Sequence, residues 1–183
     1  MEPTAGNLLI AAPTMADPNF ARSIVLLLDV NDSGALGVVL NRPTQLEVAA
    51  VLGPWAEVVT GPSVLFQGGP VETDAALAVA TVSADDEPVG WRRVAGTTGL
   101  VDLDAPVEIM APAVSAVRIF AGYAGWGLGQ LEAEIEEGAW YVVPAELQDP
   151  FLTEPDRLWG QVLRRQGGQL AMLATMPVDP ALN

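Results

Sequence analysis

Three short stretches of this sequence set groups able to hold a ligand where apolar runs end. In "NRP" (41–43) a carboxamide and a guanidinium leave a strand-like run together, just ahead of a helix-like pattern. A guanidinium so placed can fork onto a carboxylate or phosphate, with the free amides of a helix N-terminus assisting. In "FQGGPV" (66–71) two glycines permit positive φ or the close approach of a second backbone, and successive amides there can form an anion-binding nest. "RIFAGYAGWGLGQLE" (118–132) gathers Arg118, Tyr123, Trp126 and Gln130 before another helix-like pattern, and aromatic planes beside free amides suit a planar anion. Asn41, Arg42, Gly68, Gly69, Arg118, Tyr123, Trp126 and Gln130 are therefore the candidate ligand-binding residues. Each stretch also has a purely structural reading. Asn41 would satisfy its own turn, Arg42 would pair with an acid, and Gly-Gly-Pro would turn the chain. Tyr123 and Trp126 would cap a core while the glycines allow a bend.

Other spacings fail a chemical test. "DVNDSG" (29–34) opens like a calcium loop, but its twelfth position is Leu40 where a bidentate Glu is needed, so it reads as a hairpin turn. The glycines at 122, 125, 127 and 129 miss the dinucleotide fingerprint, because Gln130 stands where its last glycine belongs. Asp102 with Asp104 on one strand face, and Glu132 with Glu136 on one helix face, would divide acid and base roles only if burial separated their pKa values. The two glutamates read most simply as a solvated face.

The chain has no Cys, no His and no Lys, and all eight basic residues are Arg. That excludes disulfides, thiolate or imidazole metal sites, Cys-His and Ser-His-Asp catalysis, Schiff bases and the P-loop lysine. No cofactor and no metal are expected, and a carboxylate-based hydrolase is the enzyme reading that survives. A net charge of −15 works against direct nucleic-acid binding, which depends on neutralising phosphates. Solubility and a cytoplasmic location are the expectation: the longest aliphatic run, Ile24 to Leu28, is far short of the ~20 residues of a membrane span, and the opening residues make a poor signal peptide.

The elements that must position these groups follow from periodicity. Near-continuous apolar runs at 7–13, 23–30 and 35–42 predict strands covered on both faces, with "NDSG" (31–34) as a turn. Thr44 and Glu47 make a capping-box pattern that predicts a short helix after Pro43. "SVLFQGG" and "AALAVATV" read as strands, "SADDEP" as an exposed acidic loop, and "WRRVAGTTGLVDL" as a hairpin with Gly96 and Gly99 at its bend. "APVEIMAPA" allows one or two helical turns between its prolines. Further along come a strand at "VRIFAGY", a helix at "GQLEAEIEEG", a strand at "AWYVVPA", and helices at "PDRLWGQVLRRQ" and "QLAMLA". Long strands mixed irregularly with short helices predict an α+β fold, a single domain over 1–183 with largely antiparallel pairing.

Through "LLIAAPTMADPNFARSIVLLLD", "GALGVVLNRPT", "FQGGPV", "GLVDLD", "RIFAGYAGWGLGQLEAEI" and "GAWYVVPA", in this order, the chain resembles the YqgE/AlgH family of bacterial proteins. The resemblance implies a bent, branching, mixed β-sheet with short helices packed on it. It implies no catalytic residues. One branch is named for a role in regulating alginate synthesis, but no helix-turn-helix pattern accompanies the acidic charge, so any regulation is expected to be indirect. Many family members carry a His just after the "VLLL" strand, where this chain has Asp29 and Val30. The expectation is thus a non-enzymatic protein that regulates or interacts with a protein partner; the alternative is a binder of a small anionic or nucleotide-like ligand.

Overall fold

The computed structural model describes residues 1–83 and 87–177. One curled sheet gathers ten strands: β1 (Asn7–Ala11), β2 (Ile24–Asn31), β3 (Gly34–Val39), β4 (Pro43–Glu47), β5 (Val64–Gln67), β6 (Val71–Val82), β7 (Trp91–Ala95), β8 (Thr98–Val101), β9 (Val114–Gly127) and β10 (Trp140–Pro144). Their order is β10-β1-β2-β3-β9-β6-β8-β7, with β4 and β5 branching off β9. Among the described residues every pairing is antiparallel except that of β5 with β9, where Phe66 lies opposite Phe120. The α+β, bent and mixed sheet expected from the sequence is what forms. Five short helices pack on it: α1 (Val48–Val51), α2 (Val107–Met110), α3 (Gln130–Glu136), α4 (Leu158–Gln166) and α5 (Gly168–Leu173). No described helix is long and apolar enough to cross a membrane.

The continuous apolar runs are explained by burial on both sides. Side chains alternate along a strand, so Leu8, Ile10, Ile24 and Leu26 enter an inner core with Phe66, Phe120 and α4's Trp159 and Leu163. Their neighbours Leu9, Val25 and Leu27 enter an outer core with Trp126, Leu131 and Trp140. A second outer core, holding Ala78, Ala80, Val117 and Ile119, lies behind the other half of the sheet.

The strand β9 joins the two halves. Its first part pairs with β6 (Leu77 opposite Phe120), and its last part with β3 (Gly37 opposite Ala124). Gly122, whose φ is +74°, falls where the register with β6 breaks, between Ala121 opposite Ala76 and Tyr123 opposite Val71. The glycine stretch is therefore mostly strand: β9 continues past Gly122 to Gly127, and the turn comes at Leu128 and Gly129. Sequence reasoning ended the strand too early, because it treated the glycines as one corner.

Three other expectations are corrected. The pattern after Pro43 forms strand β4 before a single helical turn beginning at Val48. Thr44 does not cap it: its hydroxyl donates to the Leu65 carbonyl at 2.7 Å, so pairing with β5 wins over the local capping box. Gly99 sits inside β8, where a Cβ would strike the Arg92 carbonyl and the Trp91 ring, and only Gly96 serves the turn. Asp102 and Asp104 lie in a turn, the Asp102 carboxylate accepting the Asp104 amide at 2.9 Å, and do not share a strand face. The acidic loop "SADDEP" falls partly outside the described residues.

Candidate functional site

The sequence-selected residues fall into one structural chain of contacts. Asn41 ends the "VVLN" run with both amide atoms engaged: Oδ1 accepts the Ile24 amide at 3.0 Å and Nδ2 donates to the Arg22 carbonyl at 2.9 Å. The Arg42 guanidinium donates to the Pro18 and Ala21 carbonyls, each at 2.6 Å. Burial pulls its pKa down and nearby Asp17 opposes that shift. Both residues thus pin the segment 12–23 to the end of β3. From that segment Phe20 stacks on Trp126, with centroids 6.2 Å apart, and meets Trp140 edge-on at 5.5 Å. Trp126 is only 5% exposed.

Gly68 and Gly69 are pressed against β9. The Gly68 amide donates to the Ala121 carbonyl at 2.8 Å, and its own carbonyl accepts the Val39 amide at 2.8 Å. A Cβ on Gly68 would strike the Gly122 carbonyl, and one on Gly69 (φ +157°) the Tyr123 carbonyl. Close backbone approach is what these glycines allow. Tyr123 packs half-buried against the inner core, and Gln130 Oε1 accepts the Gly127 amide at 3.0 Å, closing the turn into α3. "NRP", "GGP" and the glycine stretch therefore do meet, through backbone hydrogen bonds and close packing. Trp126 borders a depression of about 220 Å³, beside Asp29, Asn31 and Ser33 of the β2–β3 hairpin.

A larger opening, about twice that volume, lies elsewhere, where the curl brings the two ends of the sheet face to face. A cleft of about 460 Å³ has the β7–β8 turn (94–98) as one wall, residues 145–147 and Pro150 after β10 as the other, and Gly6 and Leu26 between them. Gly6 is packed so closely to Ala95 that a Cβ there would collide with the Ala95 methyl. Most of the surface is apolar; the polar lining groups are Thr97, Thr98 and Glu146, besides backbone.

Two arginines hold the second wall in place. Arg118, 1% exposed, reaches from β9 to donate Nη1 to the carbonyls of Pro150 (3.0 Å) and Leu152 (2.9 Å) and Nη2 to that of Gly61 (2.6 Å). Its carbon lies 4.3 Å above the Phe66 ring, a cation–π contact. Burial away from any carboxylate lowers its pKa to about 10. Arg165 on α4 forks onto Asp149, Nη1 to Oδ1 at 2.7 Å and Nη2 to Oδ2 at 2.6 Å, and the hydrogen bond to Asp149 raises the Arg165 pKa. Asp149, 2% exposed, also accepts the Glu146 amide at 2.7 Å. Arg118 is thus a support behind the cleft wall. Sequence reasoning missed Glu146, Asp149 and Arg165, because nothing local tells that Arg165 will reach an acid 16 residues earlier in the chain. Among the described residues no three His, Cys, Asp or Glu side chains gather closely enough to hold a metal ion.

The class defined by this geometry is a curled, mostly antiparallel α+β domain whose sheet ends enclose a cleft. Residues 8–171 match the AlgH-like family model, and the chain belongs to that family. It is 60% identical over 182 residues to a UPF0301 protein of Streptomyces coelicolor, covering 97% of this chain and 94% of the relative. A UPF0301 protein of Mycobacterium tuberculosis is 50% identical, with 98% and 90% covered. Two solved structures share the fold. A crystal structure of a Corynebacterium diphtheriae protein superposes with a TM-score of 0.89 at 35% identity, covering 96% of this chain and 93% of the other. The solution structure of the AlgH protein from Pseudomonas aeruginosa gives 0.70 at 31% identity, covering 97% of each. These relatives are of uncharacterised function.

Proposed function

We propose that this protein is a non-enzymatic binding domain with a regulatory role, and that its binding site is the cleft between the two ends of the sheet. The observation that carries the reading is the cleft itself, about 460 Å³, within the range of small-molecule sites and lined mainly by apolar groups with a few polar ones. Its walls belong to opposite ends of one sheet, so an occupant would brace the curl, and a protein partner sensing that curvature would sense the occupant. The candidate residues chosen from sequence act, in this reading, as the frame that sets the curl. Arg42 has both terminal nitrogens on carbonyls, which weakens the case for an anion held there. The acidic charge supports regulation without direct contact to DNA.

Native mass spectrometry of freshly purified protein, followed by amide-shift mapping with a fragment set, tests the proposal. Retained mass, or shifts concentrated at 94–98 and 145–147, is expected. No retained mass and no shift in those residues at saturating fragment would remove the cleft as a site.

A further inference from the structure

We infer that the cleft takes a small amphiphile with an apolar body and a single amine cation as its head, seated at Glu146; this rests on the reading of the cleft as the binding site. The body is argued from the lining: Leu26 is a core side chain reached from the cleft, and Val94, Ala95, Ala145 and Pro150 add apolar surface. A buried apolar group gains roughly 25 cal/mol per Å² removed from water, so a hydrocarbon body is what such walls reward. Leu147, 56% exposed at the mouth, would gain cover from an occupant that reaches the rim.

The head is argued from charge. Six ionised groups border the cleft or hold its walls, among them Arg118 behind Pro150. Arg93 donates to the Gly96 carbonyl on the hairpin wall and pairs with Glu87 at 3.2 Å. Arg165 is committed to Asp149 at 2.6 Å and stands 3.5 Å from Glu146. Three arginines thus balance three carboxylates around the walls, but Arg118 is buried behind Pro150 and turned onto carbonyls, and Glu146 is the one charged side chain that lines the opening. Its Oε2 accepts from Gln148 Nε2 at 2.7 Å, while its Oε1 has no hydrogen-bond partner among the described residues. An ammonium can donate to that oxygen, and the Thr98 hydroxyl on the opposite wall, with no hydrogen-bond partner among the described residues, is a second acceptor in the lining. A carboxylate head would meet Glu146 as a like charge, and the overall charge of −15 adds to that repulsion.

The test uses the full chain and three ten-carbon probes that differ only in the head: decylamine, 1-decanol and decanoate. Affinities are read by amide-shift titration at pH 7.5 and low salt. Decylamine is expected to bind about five-fold tighter than decanol and tighter still than decanoate, with shifts at 94–98 and 145–147, and the preference should shrink as salt is added. Glu146→Gln, a partly exposed site whose backbone bond to Asp149 is kept, should bring decylamine down to the decanol affinity without changing decanol. Ala145→Trp, which fills the cleft, should weaken all three together. Equal or tighter binding of decanoate, or an amine preference that survives Glu146→Gln, overturns the head group while leaving the cleft as a site. No cleft shifts with any probe brings down the cleft itself.

Discussion

The crossing of β9 over Gly68 and Gly69 and the cleft at the ends of the sheet are made of opposite materials. The crossing holds the residues that look like chemistry: Arg42, paired glycines, Tyr123, Trp126 and Gln130. The Arg42 terminal nitrogens, the Gly68 amide and Gln130 Oε1 meet backbone partners, and Trp126 packs against Phe20 and Trp140. The cleft is lined by alanine, valine, threonine and leucine with one glutamate, and there the surfaces stay apart. A site is marked by bonding capacity left unmet beside open space, and residue type alone does not report that.

The comparison predicts that damage at the crossing destroys the fold, and that damage at the cleft spares it. Gly69→Ala should give the largest effect, a loss of about 4 kcal/mol or outright failure to fold, since a Cβ would meet the Tyr123 carbonyl at a φ of +157°. Urea unfolding followed by circular dichroism measures it; a loss under about 1 kcal/mol would break the account of the crossing.

Arg118→Met should cost about 3 kcal/mol, because three carbonyls lose their donor. Its pH signature has a definite sign. Burial lowers the folded-state pKa to about 10, so above that pH the unfolded chain binds more protons at this group than the folded one. The contribution of Arg118 to stability is therefore least below pH 10 and rises above it. The gap between wild type and Arg118→Met should widen from pH 9 to pH 11 in matched urea titrations; a narrowing gap would mean that Arg118 is not held in a desolvated, unpaired state.

Arg42→Ala should lose about 1.5 kcal/mol and raise amide exchange across 12–23, where the Pro18 and Ala21 carbonyls are released. Exchange unchanged in that segment would show that Phe20 against Trp126 and Trp140 suffices to hold it. Leu147→Ser stands at the other extreme, with stability expected within about 0.5 kcal/mol of wild type and cleft affinity for decanol reduced. A large loss of stability there would erase the contrast between the two regions.

Much of the fold was legible in local pattern. Strands β1, β2 and β3 follow from apolar runs, α4 from Leu158, Trp159, Val162 and Leu163 at helical spacing, and the double burial of β1 and β2 from their lack of alternation. The errors came where a distant partner outbid a local one. Thr44 left its capping pattern for the Leu65 carbonyl, and the glycine stretch stayed within β9 because β6 and β3 supply hydrogen bonds along most of it. Of the candidate site, the conformational demands of Gly68 and Gly69 could be read in advance, whereas Asp149 gave no local sign that Arg165 would fork onto it.

By itself the sequence determined which chemistries are absent, through the lack of Cys, His and Lys, and which segments bury apolar surface, because both depend on residue type and short-range order. Only the tertiary structure decided that Arg42 and Trp126 would close on their surroundings while Glu146 would border open space. That choice depends on how far the sheet curls, and the curl is set by Gly122 together with contacts between strands far apart in the chain. Such geometry has no signature in any single stretch of residues.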